Sequence, residues 1–84
     1  MAEKPKKILI VEDDLTMRDI VVHKLSTSGF EVVQAGDGKT AVEVWKKEKP
    51  DIVLLDLMLP EMDGFQILES VRKDSADKAT VIVL

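Results

Sequence analysis

The sequence predicts an α/β domain built on a doubly wound parallel sheet, and three observations carry that prediction. Residues 8–11 and 52–55 are apolar at every position, which suits strands buried on both faces. Stretches of helical period alternate with these and with further β-branched runs, giving the order β-α-β-α-β-α-β. Both apolar runs end in acid, Glu12-Asp13-Asp14 after the first and Asp56 after the second. The carboxyl ends of strands are where open α/β sheets bind their ligands.

Taken in order, the polar residues 1–6 are a frayed start and 7–12 a buried strand. Asp14 supplies the cap of a helix running to about residue 28, with Met17, Ile20, Val21 and Leu25 as its apolar stripe and Gly29 as its stop. A second strand spans 30–35, with Glu31 and Gln34 at its polar positions. Gly36-Asp37-Gly38 is a turn, and a second helix from about 39 to 49 places Ala41, Val44 and Trp45 on one side before Pro50 ends it. The third strand covers 52–56 and leads through a loop at 57–63 into a helix over about 64–74. That helix turns Phe65, Leu68 and Val71 inward and sets Arg72-Lys73 at its negative end. Residues 80–84 form the fourth strand. Right-handed crossovers then favour the strand order 2-1-3-4, which sets Asp13 and Asp56 across one switch point.

Composition narrows the function. The chain has 84 residues, 45% of them hydrophobic and 33% charged, as expected of one small globular domain. A domain of this size buries roughly 60 to 65% of its surface and is marginally stable. A formal charge of -4 argues against a nucleic-acid surface, since Lys4, Lys6 and Lys7 make only a short basic start. The absence of cysteine excludes disulfides and thiolate metal sites. Neither a signal peptide nor a membrane span is legible, so a cytoplasmic location is expected by default.

Several carboxylates gathered in one crevice repel one another, and a hard divalent cation is the natural occupant of their centre. Taken alone, Glu12-Asp13-Asp14 would read as helix capping with solvated charge, and Asp56 as a strand-terminal turn residue. Their joint placement favours the cation. Gly38-Lys39-Thr40 imitates the end of a phosphate-binding loop, but the first glycine of that motif would fall at Val33, inside a strand. It is read as a turn opening a helix. His23, alone in mid-helix, is read as a surface or half-buried histidine, and Trp45 as core packing.

The segments Ile8-Leu9-Ile10-Val11-Glu12-Asp13-Asp14 and Pro50-Asp51-Ile52-Val53-Leu54-Leu55-Asp56-Leu57-Met58-Leu59-Pro60-Glu61-Met62-Asp63-Gly64 closely resemble the receiver domain of bacterial two-component response regulators. The resemblance runs from about Lys7 to the last residue and implies a flavodoxin-like fold. It also implies that Asp56 accepts a phosphoryl group from a histidine kinase or phosphotransfer protein. Mg²⁺ would be held by Asp13 directly, by Glu12 through a water, by Asp56, and by the main-chain carbonyl of Met58. Pro60 and Gly64 would shape the loop. Such a module assists its own phosphorylation and is not a turnover enzyme.

The family pattern continues with two further helices and a fifth strand, a Ser or Thr after the fourth strand and a Lys after the fifth. This chain stops at Leu84, so residues 1–84 read as a truncated receiver with impaired phosphotransfer. Its fourth strand, Thr80-Val81-Ile82-Val83-Leu84, would be an uncharged apolar edge, and self-association by edge pairing or element exchange is expected. The competing reading is a structural or engineered α/β fragment in which the acidic site is inherited and idle. A hydrolase using Asp56 as nucleophile is weaker, because such phosphatases place a second acid two residues on, where this chain has Met58.

Overall fold

The computed structural model describes residues 5–55, 69 and 80–83. The elements are β1 (Lys7–Val11), α1 (Leu15–Thr27), β2 (Glu31–Ala35), α2 (Gly38–Glu48), β3 (Ile52–Leu55) and β4 (Thr80–Val83). The expected loop 57–63 and helix 64–74 lie outside the described residues, apart from Glu69, which is helical and exposed.

The strands form one sheet in the order β2-β1-β3-β4, and every pairing is parallel. β1 is therefore central, its Val11 lying opposite Ala35 on one side and Leu55 on the other. Burial on both faces explains the unbroken apolar run: Ile8, Leu9, Ile10 and Val11 are all buried. Alternation along the strand sends Leu9 and Val11 into a cluster with Val53, Leu55, Ala35 and the α2 residues Ala41 and Trp45. Ile8 and Ile10 face the opposite side, where α1 lies against β1 and β2.

Both described helices start on an aspartate. Asp14 accepts the N–H of Met17 at 3.0 Å, and Asp37 accepts the N–H of Thr40 at 2.8 Å and its hydroxyl at 3.1 Å. The second cap moves the start of α2 one residue earlier than the sequence predicted, to Gly38. It also places a carboxylate on the helix terminus where the phosphate-loop imitation would have needed a ligand. At the other ends, Gly29 adopts φ +98° after α1, and Lys49 takes the left-handed conformation at φ 49° before Pro50.

The apolar stripe expected on α1 is only partly covered. Val21 and Leu25 are half-buried, whereas Met17 is 51% and Ile20 58% exposed, as is Leu15 at 60%. The helix reaches across β1 and β2, and β4 on the far side of the sheet leaves Ile82 46% exposed. His23 is exposed and Trp45 is fully buried, both as read from the sequence.

The amino-terminal rim of the sheet is tied together by one residue. Lys7 gives its ammonium to Glu48 at 3.1 Å and Glu31 at 3.2 Å, and its main-chain N–H to the Asp51 carboxylate at 2.8 Å. These contacts join β1 to β2, to the end of α2 and to the approach to β3.

Candidate functional site

The opposite, carboxyl-terminal rim carries the acidic residues. Parallel pairing brings the ends of β2, β1 and β3 level at Ala35, Val11 and Leu55. Glu12 leaves β1 with its N–H still donating to Ala35 O at 3.1 Å, so the sheet ladder extends one residue into the loop. Its carboxylate accepts the N–H of Asp14 at 3.1 Å, and it is half-buried. Asp13 is exposed at the same rim, and Asp14 is committed to its cap. Of the expected site residues, the structure brings Glu12 and Asp13 to the end of β1, beside the end of β3. Asp56, covalently next to Leu55, lies outside the described residues, as does Met58.

A third side chain enters this loop that the sequence reading did not single out. Arg18 reaches back from α1, giving Nη1 to the main-chain carbonyl of Glu12 at 3.0 Å and Nε to Gln34 Oε1 at 3.1 Å. The only local signal is an arginine one helical turn after the Asp14 cap. Its partner on β2, Gln34, is 16 residues away, beyond any periodicity argument.

The donor set suits Mg²⁺ in kind. Glu12 and Asp13 offer hard carboxylate oxygens, and Mg²⁺ takes one or two protein carboxylates while keeping several waters. Among the described residues no group of three or more His, Cys, Asp or Glu could hold a metal ion, so these two would form only part of a site. No described helix is long and apolar enough to cross a membrane.

Comparison with known proteins agrees with this architecture. The family model described as "Response regulator receiver domain" matches residues 8–84. A "Probable transcriptional regulator ycf27" of Guillardia theta is 42% identical over 73 residues, 87% of this chain and 29% of that protein. The "Alkaline phosphatase synthesis transcriptional regulatory protein PhoP" of Bacillus subtilis is 38% identical over 68 residues, covering 81% and 28%. The chain thus spans under a third of the length of these curated relatives. Among solved structures, the chemotaxis protein CheY4 of Vibrio cholerae superposes with a TM-score of 0.89 at 33% identity, over 95% of this chain and 68% of that one. The N-terminal domain of an uncharacterized Wolinella succinogenes protein does so with a TM-score of 0.87 at 33% identity, over 94% and 63%. With the 2-1-3-4 parallel sheet and its acidic rim, these matches establish that the chain belongs to the response regulator receiver domain family of two-component systems.

Proposed function

We propose that residues 1–84 act as a phosphoacceptor module in which Asp56 receives a phosphoryl group from a histidine kinase or phosphotransfer protein in the cytoplasm. The observation that carries this reading is the adjacency of β1 and β3, with Val11 level with Leu55. The strand that Glu12 and Asp13 follow thereby ends beside the strand that leads into Asp56. A carboxylate oxygen of Asp56 attacks phosphorus, and the P–N bond of the donor phosphohistidine breaks. The leaving imidazole nitrogen keeps the electron pair and takes up a proton, and an acyl phosphate remains on Asp56. Such transfers depend mainly on positioning and neutralised charge. Asp13 would hold Mg²⁺ directly and Glu12 through a water, with Asp56 and the Met58 carbonyl completing the set. When bound, the ion offsets the charge of the phosphoryl oxygens.

The module accepts and passes on a modification without turning over a substrate. The -4 charge supports a domain that does not itself contact nucleic acid, although several relatives are named transcriptional regulators. Copies are proposed to associate through β4, which is an edge strand among the described residues, or by exchanging elements.

The direct test is to incubate the folded protein with MgCl₂ and acetyl phosphate and weigh it intact. An added phosphoryl mass that is absent from Asp56→Asn is expected. A folded wild type that takes up no phosphoryl group would favour an inherited, idle acidic site.

A further inference from the structure

Glu12 is fastened at every polar group whose partner is described. Its N–H is held by Ala35 O, its carboxylate by the N–H of Asp14, and its carbonyl by Arg18 Nη1. Arg18 is itself fixed from three directions. Its main-chain N–H donates to Asp14 O at 2.9 Å, its Nε is bound by Gln34 of β2, and its guanidinium lies over Gly36. A methyl group at position 36 would run into Nη1 and come within 3.4 Å of Cζ. The glycine therefore keeps the seat of the guanidinium open. One planar cation thus braces the β1–α1 loop against the end of β2.

We infer that Arg18, seated over Gly36, is a positioning residue that fixes the direction in which Glu12 and Asp13 are presented to a divalent cation. This rests on the Mg²⁺ site proposed above. Outer partners that orient metal ligands commonly change affinity about 10- to 100-fold when removed. The inference has a distinctive sign. As a mere charge near two carboxylates, Arg18 would oppose a cation by Coulomb repulsion, and its removal would tighten binding. As a brace, its removal weakens binding despite the lost repulsion.

Two variants separate the brace from the charge. Arg18→Lys retains the charge but replaces the planar fork with a point donor that does not span both acceptors. Gly36→Ala retains Arg18 itself and only displaces the tip of a flexible side chain, at a position whose backbone does not require glycine. MgCl₂ is titrated calorimetrically into wild type, Arg18→Ala, Arg18→Lys and Gly36→Ala, and the metal-free thermal midpoint of each is recorded. Affinity is expected to fall about tenfold in all three variants, with the metal-free midpoint of Gly36→Ala at the wild-type value. The double variant Arg18→Lys/Gly36→Ala should lose no more than the worse single one, because both act through the same contact. Wild-type or tighter binding in Arg18→Lys and Gly36→Ala overturns the inference. Absence of Mg²⁺ binding in wild type, or unchanged affinity in Asp13→Asn, would instead remove the site itself and the brace with it.

Discussion

Asp37 shows how a single side chain sets both a helix boundary and a pH dependence. The N–H of Thr40, followed by its hydroxyl, holds the Asp37 carboxyl below the ordinary carboxylate range. A lowered folded-state pKa means that the ionised form stabilises the fold above the unfolded value of 3.8, and that this contribution fades as the pH falls through the folded value. Asp37→Ala should therefore melt lower than wild type at neutral pH, with the gap closing below about pH 4, as followed by circular dichroism. Lys7 has the opposite sign. Its bonds to Glu48 and then Glu31 raise its pKa, so its contribution is complete below 10.5 and is lost only at more alkaline pH. At the acidic rim, Asp13→Asn should weaken Mg²⁺ binding while leaving the metal-free protein as stable or more so, because one of several neighbouring anions is removed. Calorimetric titration paired with a melting curve reads both effects. The position of Glu12 and Asp13 at the end of a buried strand was legible from the apolar run that precedes them, although capping or solvated charge would account for such acids taken singly. Arg18 was not, because its role depends on a guanidinium crossing to Gln34 and Gly36, and local spacing does not encode that reach.

The helices divide sharply in what holds them. α2 places Ala41 and Trp45 in the core against Leu9, Val11, Val53 and Leu55, so Trp45→Ala should cost about 3 to 5 kcal/mol by denaturant titration. α1 has no buried residue, and Ile20→Ala on its exposed side should change stability by no more than about 0.5 kcal/mol. Both helices were legible from their period, and α1 from its Asp14 cap as well. Periodicity marks an apolar stripe without saying which of its residues a neighbour will cover. Val21 and Leu25 are half-buried, while Met17 and Ile20 are exposed. The boundary of α2 was misjudged by one residue because the turn-forming Gly36-Asp37-Gly38 conceals a capping aspartate.

Across the whole molecule, the strand order followed from the alternation of periods and the handedness of crossovers, and the parallel register agrees with it. What the pattern could not supply was the relation between faces. Among the described residues Leu15, Met17, Ile20 and Ile82 are exposed, and β4 is one edge of the sheet they form. Exposed uncharged edges recruit further strands, and sedimentation velocity should show association that rises with concentration. Ile82→Lys should shift that distribution toward monomer, since charged side chains on an edge discourage pairing. A wild type that sediments only as monomer at high concentration would remove the association proposal.

The central position of β1 also bears on biosynthesis. Ile8 pairs with Val32 and Ile52, so β1 emerges before either neighbour and waits for one partner 24 residues later and for the other 44 residues later. At about 5 to 20 residues per second, the second delay lasts roughly 2 to 9 seconds. For the first part of that interval this buried strand has neither neighbour and for the rest it has only β2, so its apolar side chains are a natural target for chaperone capture during translation.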